Sequence, residues 1–182
     1  MVTIANIHIH TSELPERVKE LHAGSSILLS GVIYTARDAA HKRLFALLDD
    51  GKPLPFPLKG STVYFAGPTP NPPGKVIGSC GPTTSGRMDP YTPRLMDLGL
   101  CCTIGKGERN EQVKQAIVRN SGLYLCAIGG AGALAAQCIT SCEVIAFEDL
   151  GCESIKKLEI KEFPLIVAID AEGRDIFRRD TI

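Results

Sequence analysis

The sequence predicts an α/β domain of mixed strand direction spanning residues 1–182, and three observations carry that reading. From Lys75 onward, apolar runs of strand length alternate with segments of helical period, which implies parallel strands joined by covering helices. Before Lys75 the chain is richer in strands and in proline-stiffened connections. The composition agrees: 182 residues with 44% hydrophobic content, 5% aromatic content and no tryptophan are enough for one aliphatic core.

Taken in order, residues 4–9 alternate apolar and polar side chains as a half-buried strand does. Leu14 to Leu21 reads as a short amphipathic helix opened by Ser12 and Pro15. Ser26 to Tyr34 is a second strand, and Ala36 to Leu48 a helix with Ala40, Leu44, Leu47 and Leu48 at helical intervals, ended by Asp50-Gly51. Two proline-bearing stretches, Lys52 to Lys59 and Pro68 to Gly74, flank a strand at Thr62 to Ala66. The alternation then gives strand Val76 to Ser79, helix Pro93 to Leu98, strand Cys101 to Ile104, helix Asn110 to Asn120 and strand Leu123 to Ile128. A helix near 131–139, a strand Glu143 to Phe147, and separate strands Ile155 to Ile160 and Leu165 to Ile169 follow, before Ala171-Glu172-Gly173-Arg174 turns into a last short strand.

Composition also excludes function classes. Twenty basic residues balance twenty acidic ones, so no broad field attracts nucleic acid or an anionic membrane, and any cation that matters acts locally on a small ligand. No apolar run reaches the roughly 18–20 residues of a membrane span, and the N-terminus lacks the order of a secretory signal, so a cytoplasmic location is expected. Seven cysteines without pairing intervals fit thiols in a reducing compartment. Neither Cys101-Cys102 nor Cys138 with Cys142 has the spacing of a zinc pair or a ferredoxin run.

Two motifs suggest nucleotides. Gly129-Gly130-Ala131-Gly132-Ala133-Leu134-Ala135 follows an apolar strand and opens a helix, with Glu148 beyond the next strand, which makes a dinucleotide fingerprint one reading and tight helix packing another. Gly99 to Gly107 departs from a triphosphate loop in its spacing and in Gly107, which replaces the magnesium-binding hydroxyl.

A stronger constellation comprises Arg37, Thr83, Thr84, Arg87 and Lys106, each placed where a strand hands over to a loop or helix. In α/β sheets such ends line the ligand crevice. Arg87 offers a planar fork within Thr-Thr-Ser-Gly-Arg, and Lys106 lies between Gly105 and Gly107, which allow close backbone approach. Three cations at one crevice suit a ligand with more than one anionic group, of which a dicarboxylate is the simplest. His41 follows Arg37 by one helical turn and can lean on the same place, whereas His8, His10 and His22 form no cluster with it.

Together these segments resemble the β subunit of the two-subunit, iron–sulfur class I fumarase and L-tartrate dehydratase hydro-lyases, equivalent to the C-terminal domain of the single-chain fumarases. The carriers are Gly31-Val-Ile-Tyr-Thr-Ala-Arg37-Asp38-Ala-Ala-His41, Gly81-Pro-Thr-Thr-Ser-Gly-Arg87-Met-Asp-Pro-Tyr91, Ile104-Gly-Lys106-Gly107, Gly129-Gly-Ala-Gly-Ala-Leu134, Phe147-Glu-Asp-Leu-Gly151 and Phe163-Pro-Leu-Ile-Val-Ala-Ile-Asp170.

The resemblance implies a swivelling β/β/α domain and reversible hydration of fumarate to (S)-malate, with L-tartrate dehydration as the alternative. It implies a [4Fe–4S] cluster held by a partner α subunit, with no cofactor and no metal bound by this chain alone. It also implies an α2β2 heterotetramer, with a homodimer of this chain possible in isolation. Carried over residue by residue, Arg37, Thr83, Arg87 and Lys106 bind the substrate, Thr83, Thr84 and Lys106 act at the reacting centre, and Asp38 and His41 stand behind them.

Overall fold

The structure, a computed structural model, describes residues 6–127 and 132–178. Twelve elements matter for the site. β1 (Ile7–His10) and the short α1 (Leu14–Arg17) lead into β2 (Ser26–Thr35) and α2 (Asp38–Asp49). β3 (Thr62–Tyr64), α3 (Thr92–Asp97), β4 (Cys102–Gly105), α4 (Glu111–Arg119) and β5 (Leu123–Cys126) form the alternating part. α5 (Gly132–Gln137), β6 (Ile139–Ala146) and β7 (Ile155–Ile169) complete the chain.

Strands β2, β3, β4 and β5 are mutually parallel, and β7 runs antiparallel to both β5 and β2, so the ladder returns on itself. β1 pairs parallel with the first half of β2, and β6 antiparallel with the first half of β7. Two long strands thereby each serve two neighbours in series. The change of neighbour along β2 falls at Gly31, where the register with β7 shifts and φ is +114°. A Cβ there would collide with Thr11 Oγ1 and the His10 ring, so glycine is required both by space and by backbone angle.

Alternation along the strands separates two apolar clusters. Ile27, Leu29, Tyr64, Ile104, Leu123, Leu125, Leu165 and Val167 face one. Val63, Phe65, Tyr124 and Ile169 face the other, which α2, α3 and α4 cover with Ala40, Leu44, Leu95, Met96, Val113, Ala116 and Ile117. α4 begins at Asn110, whose side chain accepts from the Val113 N–H at 2.9 Å, an N-cap worth about 1 kcal/mol.

The predicted strand Val76–Ser79 is a loop instead. β3 already has β2 and β4 as neighbours, so this segment finds no place beside it in the sheet. It closes on itself: Thr69 N–H donates to Ser79 O at 3.0 Å and Ser79 N–H to Thr69 Oγ1 at 2.9 Å. The two predicted late strands are one strand, β7; the interruption marked in the sequence is a positive-φ residue, Glu162, facing the Gly31 irregularity. The predicted final strand reduces to a single bridge, Ile169 to Asp175. Among the described residues, no helix is long and apolar enough to cross a membrane.

Candidate functional site

The C-terminal ends of three adjacent parallel strands bring the predicted residues together. β2 ends at Thr35, and Arg37 follows as the residue preceding α2. Beyond β3, Ala66 bridges to Pro82, and Thr83 N–H donates to Phe65 O at 2.7 Å. Beyond β4, Lys106 pairs with Thr84 in a parallel bridge, and Ser85 N–H donates to Lys106 O at 2.9 Å. The segment 82–85 thus threads between the ends of β3 and β4 and adds both threonines to the edge. Ser85–Met88 then forms one 3-10 turn that carries Arg87 outward.

Arg37 and Arg87 stand on the same side and meet at one carboxylate. Arg87 Nε and Nη2 donate to Asp38 Oδ1 and Oδ2 at 3.0 and 2.7 Å, and Arg37 Nε lies 3.4 Å from Asp38 Oδ2. Arg37 Nε also lies 2.8 Å from Glu153 Oε1. Among the described residues, no hydrogen bond uses Arg37 Nη1 or Nη2, Arg87 Nη1 or Lys106 Nζ. Two carboxylates therefore hold the arginines in place while leaving donors for a ligand. Gly67 makes room for this: an added Cβ would sit 2.9 Å from Arg37 Cδ and 3.3 Å from Cys152 O.

His41 is fully buried beneath Arg37, stacked on Tyr91 and edge-on to Phe65. Its Nδ1 donates to the Arg37 carbonyl at 2.9 Å, which already accepts from the His41 backbone N–H. That bond fixes the neutral tautomer with the hydrogen on Nδ1, and leaves Nε2 buried without a partner. Burial pushes its pKa down to about 4, with the Arg109 charge adding to the effect against the Arg37 carbonyl bond and Asp38.

Sequence reasoning missed Glu153, which is remote along the chain, Gly67, and the buried guanidinium of Arg109. Arg109 shows in the sequence only as one more charged residue two positions after Gly107. The spacing gave no sign that it points inward.

Among the described residues, the thiols are not grouped as the ligands of an iron–sulfur cluster would be. Burial drives Cys80 up to about 12 and Cys101 up to about 11, and raises Cys102, Cys126, Cys138 and Cys142 as well, so these groups are held as protonated thiols. Among the described residues, no group of three or more His, Cys, Asp or Glu side chains is placed to hold a metal ion. The dinucleotide motif begins on residues 129–131, outside the described residues, and its remainder, 132–135, lies in α5; Glu148 is exposed on the 3-10 turn Glu148–Glu153.

Fold and site define an α/β domain with a cation-bearing edge built from the ends of parallel strands. The chain belongs to the Fumarase C-terminus family, whose model matches residues 2–180. It is 39% identical over 169 residues to the anaerobic class I fumarate hydratase of Escherichia coli strain K12, a match covering 92% of this chain and 31% of that protein. It is 37% identical over 166 residues to fumarate hydratase 2 of Leishmania major, covering 90% and 29%. A putative L(+)-tartrate dehydratase subunit beta from Methanocaldococcus jannaschii is 36% identical over 166 residues, covering 88% and 85%. The chain thus spans about three-tenths of the length of the fumarate hydratases it matches.

Proposed function

We propose that this chain is the β subunit of a class I hydro-lyase that catalyses the reversible hydration of fumarate to (S)-malate and works only with an α partner. The observation that carries the reading is the edge where Arg37, Arg87, Lys106, Thr83 and Thr84 assemble at the ends of β2, β3 and β4. A relative named as a putative L(+)-tartrate dehydratase subunit beta, matched over 85% of its own length, supports reading the chain as a β subunit. In this reading the domain is of the swivelling β/β/α type, the protein is cytoplasmic, and the assembly is α2β2. In this reading the [4Fe–4S] cluster belongs to the α partner, in keeping with the scattered placement of this chain's cysteines.

This chain's part is to bind and orient. Arg37, Arg87 and Lys106 take the two substrate carboxylates, with Arg87 using Nη1 because Asp38 occupies Nε and Nη2. Thr83 donates to a carboxylate, and Thr84 and Lys106 stand at the reacting carbons. When the proton α to a carboxylate leaves, negative charge moves onto that carboxylate, and fixed cations stabilise it without reorganising. A threonine hydroxyl is a poor base at its ordinary pKa, so proton transfer by one of these threonines would require activation by the neighbouring cations or by groups of the partner.

A second reading, L-tartrate dehydration, is favoured by one observation: the tartrate dehydratase relative matches this chain over 85% of its own length. The test is to purify the chain with its co-expressed α partner and to assay fumarate, (S)-malate and L-tartrate in parallel. Hydration of fumarate with little action on tartrate supports the proposal; turnover of tartrate alone replaces it with the second reading. In the active pair, Arg87→Ala is expected to lower activity at least tenfold, since one charge-assisted contact contributes about 1.5–3 kcal/mol.

A further inference from the structure

Beneath the two turns of the site lies a buried ion pair that the proposed chemistry does not use directly. Arg109 has a fully buried side chain; its Nε donates to Asp89 Oδ1 at 2.6 Å, Nη1 to Thr103 Oγ1 at 3.1 Å and Nη2 to Thr92 Oγ1 at 2.6 Å. Its guanidinium lies between two rings, 5.2 Å from the Phe65 centroid and 4.9 Å from that of Tyr124. The other oxygen of Asp89 accepts from Asn110 N–H at 2.8 Å, at the start of α4. Thr92 in turn donates to Met88 O at 3.0 Å, at the end of the turn that carries Arg87.

Tyr124, stacked on this guanidinium, links the two site turns. Its hydroxyl donates to Gly107 O at 2.7 Å and lies 2.9 Å from Ser85 Oγ. Ser85 sits over Gly105 so closely that a Cβ on the glycine would overlap its Oγ. The segment 85–92 and the turn 105–107 are therefore fastened to one planar group rather than to each other alone. An apolar side chain of similar volume would fill this slot without the cost of desolvating a charge. What only the guanidinium supplies is direction, because its donors are rigidly coplanar.

We infer that Arg109 is a positioning residue: it registers the Thr83–Arg87 turn against the Gly105–Gly107 turn, so that Thr84, Arg87 and Lys106 meet the dicarboxylate as one rigid face. The inference rests on the proposed hydro-lyase reading for its consequence in catalysis, and on the contacts above for the registration itself. Arg109 does not touch substrate, and its effect passes through Asp89, Thr92 and Tyr124.

The test uses Arg109→Lys, which keeps a positive charge beside Asp89 and loses the fork, and Tyr124→Phe, which removes one hydroxyl and keeps the ring. The second variant guards against the first failing to fold. Arg119→Ala, which breaks a surface ion pair with Asp97, is the control. In the isolated chain, amide hydrogen exchange by NMR is expected to accelerate at least tenfold at Ser85 in both variants, with the amides pairing β2 to β7 unchanged. In the pair with its α partner, KM for the dicarboxylate is expected to rise at least fivefold for both, while the control alters neither reading.

A merely structural role would lower the amount of active enzyme in proportion to the folded fraction and leave KM unchanged. Unchanged KM in both variants overturns the inference, as does unchanged Ser85 exchange. If the unsubstituted pair turns over neither fumarate nor tartrate, the hydro-lyase reading fails, and the exchange measurement alone then decides whether Arg109 registers the two turns.

Discussion

At the scale of single residues, His41 gives the sharpest pH dependence. Its imidazole is buried neutral, with a pKa lowered to about 4 chiefly by desolvation, whereas an unfolded histidine titrates near 6.5. Between those values the unfolded chain binds more protons than the folded one, so stability is fully present above about 6.5 and is lost as pH falls towards 4. From pH 7 to pH 5 this residue alone is expected to remove about 2 kcal/mol of unfolding free energy, measured by urea denaturation at the two pH values. His41→Phe should abolish that share of the dependence. The sequence placed His41 near Arg37 by its helical spacing. It did not reveal that the ring lies beneath the arginine and holds its carbonyl, because burial depends on Phe65 and Tyr91, which come from other elements. Asp38 is similar: adjacency to Arg37 was plain, while its two bonds to Arg87 required the fold.

At the scale of elements, turns and glycines determine where the cations stand. Gly67→Ala would press a Cβ against Arg37 and the Cys152 carbonyl; the arginine side chain moves more readily than backbone. The expected result in the assembled pair is a KM raised several-fold, with a thermal midpoint within a few degrees of the parent. Gly31→Ala should behave differently, since φ is +114° and the added Cβ meets Thr11 and His10 at a bulge between two long strands. A loss of more than about 2 kcal/mol in urea unfolding is expected there. Helix α2 was legible because its apolar residues recur at helical intervals, and α4 because it falls in the alternation of strand and helix after Lys75. The 76–79 segment was misread because an apolar pair between glycines resembles a strand locally, and only the sheet order shows that the places on both sides of β3 are taken by β2 and β4. The single long β7 was divided in the sequence reading for a related reason: Glu162 and Pro164 look like a break, but cross-strand pairing carries the strand through them.

At the scale of the whole molecule, the balanced charge leaves recognition to one local edge, where the cations Arg37, Arg87 and Lys106 outnumber the carboxylates Asp38 and Glu153. The thiols follow the same division between interior and surface. Cys80, Cys101 and Cys102 are buried, and Cys152 is the exposed cysteine. Alkylation by iodoacetamide at neutral pH should modify Cys152 first and leave the buried three intact until the chain unfolds, as mass spectrometry of timed samples would show. The ligand-binding edge is half of a site in the proposed reading, and the missing half is the α partner. The most direct measurement is a crystal structure of the assembled pair with an unreactive dicarboxylate bound. The account predicts carboxylate oxygens within roughly 3 Å of donors on Arg37, Arg87 and Lys106, with Arg87 still held by Asp38. A dicarboxylate bound wholly by partner residues, with these three side chains turned to solvent, would contradict it.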